Sequence, residues 1–103
     1  MSKRMELHEI LEKTLGSSNV YFQPPTKLMM KYPCIVYNRG EADARASYAD
    51  NLLYRIKGAY TVTVIDADPD SLIPDKVQAL LYARFNRHFT ADNLNHDVFT
   101  LYY

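Results

Sequence analysis

Two segments of this 103-residue chain carry apolar side chains at both odd and even positions, and this pattern restricts the fold more than any other. They are Tyr32–Tyr37 and Val98–Tyr103. Successive side chains of a β-strand point to opposite faces, so strands of this kind bury both faces and lie inside a sheet. The chain therefore predicts a small sheet whose inner strands are covered by other elements.

Two further segments repeat their apolar residues at intervals of three and four, as one face of a helix does. The first is Lys3–Leu15, which we expect to end at Gly16. The second follows a turn at Asp66–Asp70 and has Pro74 in its first turn, where proline is tolerated. Its helical repeat consists of Val77, Leu80, Leu81 and Arg84.

Four strands are predicted around these helices. They are Asn19–Gln23, Tyr32–Tyr37, Leu52–Asp66 with a break near Lys57-Gly58, and Val98–Tyr103, which follows a polar connection over Asn86–Asn95. The element order is α-β-β-β-α-β. It predicts an α+β two-layer sandwich, with a small, mostly antiparallel four-stranded sheet and two helices on one face.

Residues 38–51 interrupt this pattern between the second and third strands. The stretch is small, polar and charged, and it has no periodicity. Loops of this length inside a compact domain are commonly functional or disordered. We therefore expect a single domain over residues 1–103 with a long inter-strand loop at about 38–51.

Asp66, Asp68 and Asp70 alternate like the start of a calcium-binding loop. Such a loop needs a glycine where Ser71 stands and a bidentate glutamate where Val77 stands. The segment is therefore better interpreted as a solvated turn with acidic groups before a helix.

The histidines and the single cysteine are the remaining candidates for chemistry. His8, His88 and His96 lack the spacing of a metal-ligand set, and His96 is typical of a hydrogen-bonded residue at a strand start. Cys34 lies within a strand, which favours a core residue in a reducing compartment. The sequence has no glycine-rich phosphate loop and no Gly-x-Ser-x-Gly, so we expect no enzymatic activity, cofactor or metal.

The charges argue against two classes of partner. Twelve Lys and Arg against twelve Asp and Glu give a formal net charge of zero, whereas binding to nucleic acid or anionic membranes needs a basic excess. No apolar run is long enough to cross a bilayer. Most of the nine Tyr alternate with aliphatic residues in strands, and a protein–protein interface could use the others.

Divided in this way, the chain resembles the tail terminator, or tail completion, proteins of long-tailed (siphovirus-type) bacteriophages, which act in head-tail joining. The resemblance covers nearly the whole chain and rests on core and turn segments. These segments are Asn19–Pro25 (NVYFQPP), Tyr32–Tyr37 (YPCIVY), Tyr48–Tyr54 (YADNLLY), Tyr60–Val77 (YTVTVIDADPDSLIPDKV) and Ala91–Tyr103 (ADNLNHDVFTLYY).

The resemblance implies a structural virion protein with no catalytic residues. Such a protein assembles as a ring of about six subunits on the head-proximal end of the tail tube. The ring ends tube polymerisation and presents the surface to which the head connector or head completion protein binds. The implied partners are further copies of the chain, the tail tube protein and that connector, and DNA could pass through the lumen without sequence-specific contacts. The implied location is the tail or neck of the virion, after assembly in the host cytoplasm.

The long loop supplies the candidate contacts of such a ring. Its opposite charges could pair across a repeated contact between neighbours. The candidates are Arg39, Glu41, Asp43, Arg45, Tyr48, Asp50 and Asn51. The alternative is another head-tail neck protein, such as a head completion or minor capsid protein, or a small protein-interaction module of general type.

Overall fold

A computed structural model describes residues 3–25, 30–40, 59–80 and 83–103 of the chain. The elements, in chain order, are α1 (Lys3–Leu15), β1 (Val20–Phe22), β2 (Cys34–Arg39), β3 (Ala59–Asp66), α2 (Ile73–Gln78), β4 (Ala83–Ala91) and β5 (Leu94–Tyr102). The predicted α+β class is confirmed. The first helix has the predicted bounds and is followed by Gly16, whose φ of 85° is readily adopted only by glycine.

The sheet has five strands in the order β1-β2-β3-β5-β4, so the prediction of four strands was wrong. β1 runs parallel to β2, and the other neighbouring pairs are antiparallel. Among the described strands, the two edges of the sheet are therefore the short β1 and the long β4.

The additional strand is β4, which occupies much of the segment expected to be a polar connection over Asn86–Asn95. Asp92 and Asn93 both have positive φ, which makes the two-residue turn of a β-hairpin between β4 and β5. The polar sequence of β4 reflects its edge position, because eight of its nine residues are exposed. An irregularity between Phe85 and Arg87 further breaks the alternation that would identify a strand.

The second helix is shorter than expected. α2 ends at Gln78, and the chain turns through Ala79 and Leu80 towards β4, where Arg84 lies. The helical spacing of Leu80 and Arg84 with Val77 was therefore coincidental. Leu81, which was also part of that repeat, lies outside the described residues.

The second strand begins and ends later than expected. β2 starts at Cys34 rather than Tyr32 and continues through Asn38 and Arg39. The Gly40 amide donates to the carbonyl of Ala59, 2.8 Å away, so the chain leaves β2 and enters β3 at neighbouring points. Residues 41–58, which include most of the predicted loop and the strand expected over 52–58, lie outside the described residues.

One face of the sheet packs against both helices. The buried core there combines Leu7 and Leu11 of α1 and Val77 of α2 with side chains from the sheet. The largest fully buried side chains from the strands are Tyr37, Phe99, Ile35, Leu101, Val62 and Val64. Paired positions such as Tyr37↔Val62 and Val62↔Phe99 place these residues on one face, which we call the helix face.

The opposite face carries the alternate residues of the same strands. Cys34, Ala59, Ile65 and Val98 are buried there, towards the middle of the sheet. Towards β4 this face becomes exposed, as Phe89 shows with 38% of its surface accessible. Among the described strands, β4 therefore contributes most of the exposed side chains on this face, and Asn38 of β2 is a further one.

Candidate functional site

The most exposed secondary structure among the described residues is the edge strand β4. Its sequence, ARFNRHFTA, contains two arginines, a histidine and two phenylalanines but no carboxylate. Phe85 and Phe89 are 47% and 38% exposed, which is unusual for phenylalanine in a small domain. Exposed aromatic residues beside arginine are enriched at protein–protein interfaces.

Three side chains of β4 and β5 form a stack on the opposite face. The Phe89 and His96 rings lie parallel within 12°, with their centroids 4.6 Å apart. The Arg87 guanidinium carbon lies 5.3 Å from the centroid of the Phe89 ring, within the range of a cation–π contact. The stack holds the exposed side chains of Arg87 and Phe89 in defined positions. They would therefore lose less conformational entropy on binding a partner.

A hydrogen bond orders the neighbouring part of this face. The Asn86 side-chain amide donates to the Thr100 hydroxyl across the two strands at 2.7 Å. Arg84 pairs with Thr100 in the strand register and so lies on the same face. We refer to Arg84, Asn86, Arg87 and Phe89 together as the β4 surface.

Charge is distributed unequally between the two faces of the sheet. In the described strands, every carboxylate lies on the helix face: Asp97 pairs with Val64, and Asp66 follows Ile65. Among the described strand residues, the opposite face carries the charged side chains of Arg84 and Arg87, with His96 beside them. The positive charge of the described strands on this face is therefore concentrated at the β4 surface, although the whole chain is neutral.

The helix face has the opposite character at the same edge. An open pocket of about 390 Å³ is lined there by five aspartates and His88, among other residues. The aspartates are Asp66, Asp68, Asp70, Asp75 and Asp97. His88 Nδ1 lies 2.8 Å from Asp97 Oδ1, so one carboxylate already has a partner.

The first four of these aspartates form what we call the acidic turn (Asp66, Asp68, Asp70 and Asp75). Asp66 Oδ1 accepts from the Asp68 amide and Asp68 Oδ1 accepts from the Asp70 amide, both at 2.9 Å. These bonds shape the connection into α2, as expected of a turn before a helix. In the described ranges 3–25, 30–40, 59–80 and 83–103, no three His, Cys, Asp or Glu side chains are arranged to hold a metal ion.

The other histidines have structural partners. His8 Nδ1 lies 2.7 Å from the hydroxyl of the buried Tyr37, which also accepts from Arg4 at 3.2 Å. Burial raises the pKa of Tyr37, and the hydrogen bond from Arg4 partly offsets this effect. His96 Nδ1 lies 3.1 Å from the Leu94 carbonyl oxygen at the start of β5, as predicted.

Cys34 is a core residue, as the sequence predicts. It is fully buried in β2. Burial, reinforced by the nearby charge of Asp66, raises the pKa of its thiol to about 11. A thiol in this state is a poor nucleophile at neutral pH.

Of the seven residues predicted to contact a neighbour, Arg39 alone is among the described residues. It is exposed at the end of β2, and its amide donates to Gln23 Oε1 at 3.2 Å. Glu41, Asp43, Arg45, Tyr48, Asp50 and Asn51 lie outside the described residues, so their role stays a prediction.

The sequence analysis missed the β4 surface because β4 was not identified as a strand. One available signal was the dipeptide Asp92-Asn93, which favours a tight turn, between two segments with aromatic residues. A second was the absence of any carboxylate from residues 83–91 in a chain rich in both charges.

Comparisons with protein-family models, with curated proteins and with solved structures found no match to this chain. Neither described helix has the length and apolar composition that crossing a bilayer would require. Any functional assignment therefore rests on the surfaces described above and on the resemblance noted from the sequence.

Proposed function

We propose that this chain is a structural subunit of a phage tail. It assembles as a ring on the head-proximal end of the tail tube, ends tube polymerisation and forms the head-tail joining interface. The proposal rests on the resemblance to tail terminator proteins together with one structural observation, the exposed edge strand β4 with its cationic and aromatic side chains.

The β4 surface supports a protein-binding role. Edge strands present unpaired backbone groups, and proteins commonly use such edges to bind other chains. Arg87 and Phe89 add side-chain types that are enriched in interfaces. An interaction surface of this kind suits an assembly subunit, whose partners are other proteins.

The architecture also suits a ring. The sheet ends in two different edges, β1 and β4, and its two faces differ in charge. Contacts between unlike surfaces are heterologous, and a repeated heterologous contact closes into a ring when the rotation between subunits permits.

The proposal is tested by the mass of the purified chain in solution and by negative-stain imaging over a range of concentrations. We expect a hollow ring of about six subunits. Adding the chain to polymerising tail tube protein should shorten the tubes and leave a cap at one end. Tubes of unchanged length without a cap would contradict the terminator role. Binding to a head connector alone would instead indicate a different neck protein.

A further inference from the structure

The β4 surface and the acidic turn have opposite charge and lie on opposite faces of one sheet. The first carries Arg84 and Arg87, and the second carries four aspartates of which Asp68, Asp70 and Asp75 are exposed. Side chains on opposite faces of a sheet point away from each other. The two surfaces are thus directed to different sides of the molecule, and a single chain can present both at once.

We propose that the β4 surface of one copy docks on the acidic turn of a second copy, and that this contact joins neighbouring subunits of the ring. The inference rests on the proposed function, because it assigns the contact by which such a ring would assemble. Arg87 and Arg84 meet the carboxylates of Asp68, Asp70 and Asp75, and Phe89 supplies the apolar part of the contact.

Pairing of two β4 strands about a twofold axis fits the structure less well. Such a pair would bring the arginines of both copies to the same face near the axis, and like charges across a strand pair are destabilising. The irregularity between Phe85 and Arg87 also interrupts the ladder that a second strand would continue. A contact with the acidic turn replaces this repulsion with attraction.

A nucleic-acid strand is the other anion that two arginines and an exposed phenylalanine could bind. Five aspartates line the pocket on the other face of the same strand pair, where they oppose the approach of a phosphate backbone. The chain also has no net positive charge to attract a polyanion. These charges favour a protein partner with a local acidic surface, and a second copy carries one.

Two charge-reversed variants test the contact directly. The first is Arg84→Glu/Arg87→Glu, which makes the β4 surface acidic. The second is Asp68→Asn/Asp70→Lys/Asp75→Lys, which leaves the acidic turn with one negative and two positive charges. Asp66 and the amide oxygen of the introduced asparagine still accept the two hydrogen bonds that shape the turn. In each variant alone, every junction would bring like charges together. We expect the dissociation constant for self-association to rise by about a hundredfold or more.

Mixing the two variants in equal amounts should restore assembly. The acidic β4 surface of the first variant then meets the basic turn of the second, and the unchanged surfaces meet at the next junction. Alternating rings with an even number of subunits are the expected product in mass measurement and imaging. Because both variants must be folded to assemble together, restoration also excludes misfolding as the cause of their separate failure.

A matched control reverses two exposed charges elsewhere. Glu9→Lys/Lys13→Glu, on α1, preserves the net charge and should assemble like the wild type. Variants that each assemble alone as the wild type does, or a mixture that stays dissociated, would overturn the proposed contact. DNA binding would also overturn the contact, in the following case. The wild-type chain binds a single-stranded DNA 20-mer at physiological salt, and Arg84→Glu/Arg87→Glu abolishes this binding but assembles as the wild type does.

The outcome for the contact can be separated from the outcome for the function. If the wild-type chain forms rings and caps tubes while both charge-reversed variants do so equally well, the ring stands and this contact is wrong. If the chain caps tubes yet stays monomeric in solution at millimolar concentration, the contact is likewise wrong and the terminator role stands.

Discussion

Two phenylalanines separated by ten positions show how the two faces of the sheet differ. Phe99, on the helix face, is 1% exposed and belongs to the core, whereas Phe89, on the opposite face, is 38% exposed. Both make an aromatic contact with the neighbouring strand, Phe99 with Phe85 and Phe89 with His96. Phe99 therefore stabilises the domain, whereas Phe89, at the β4 edge of the opposite face, is available for recognition.

The strongest test of this difference is Phe99→Ala. Removing a fully buried aromatic ring loses its transfer free energy and leaves a cavity, so we expect the free energy of unfolding to fall by about 3–5 kcal/mol. Urea denaturation followed by circular dichroism measures this change. A loss below about 1 kcal/mol would show that the helix face is not packed as a core.

A smaller effect is expected at the hydroxyl that joins α1 to the sheet. Tyr37→Phe keeps the buried ring but removes the hydroxyl that Arg4 and His8 contact. We expect a loss of about 1–2 kcal/mol in the free energy of unfolding, because a hydrogen bond is lost at a buried position.

The matched control for Tyr37→Phe is a second tyrosine, which lies on the opposite face. Tyr21→Phe removes a hydroxyl that accepts from the Lys31 amide at an exposed position. This change should alter the stability by about 0.5 kcal/mol or less. Equal losses in the two variants would remove the distinction between the faces.

The sequence predicted those parts of the fold in which hydrophobic periodicity follows burial. α1 is amphipathic and its bounds were correct. β2 and β5 were recognised because both their faces are apolar, and β3 because its residues alternate between two faces. β4 was missed for the opposite reason. An exposed edge strand buries little, so its sequence is free to be polar, and only its turn at Asp92 and Asn93 identifies it.

The candidate site could be predicted only in part. The acidic turn was recognised as a turn because aspartates before a helix have a local role. The β4 surface depends on which face each side chain occupies, and the irregularity between Phe85 and Arg87 shifts that alternation. The stack of Phe89 on His96 also requires the register between two strands, which no local pattern supplies.

The exposed aromatic residue should matter less to the fold than to assembly. Phe89→Ala removes the stacking contact with His96 and the cation–π contact with Arg87, at a cost of about 1 kcal/mol in the free energy of unfolding. The same change should weaken self-association, because it removes the apolar part of the proposed contact. Sedimentation measures the association and urea denaturation the stability. An unfolding loss as large as that of Phe99→Ala would place Phe89 in the core.

The last prediction concerns Cys34, whose effect is absent at neutral pH and appears only in alkali. Cys34 shares the opposite face with Phe89 but is fully buried, and burial raises the pKa of its thiol from the ordinary 9.0 to about 11. Since the folded state favours the protonated thiol, this contribution to stability is complete below pH 9 and is lost as the pH rises through 11. The free energy of unfolding should therefore fall less steeply between these pH values in Cys34→Ala than in the wild type, with the two slopes equal at neutral pH. Tyr37 titrates in both proteins, so the difference between the curves isolates the thiol. Identical curves would mean that the buried centre of the opposite face is as accessible to water as its β4 edge.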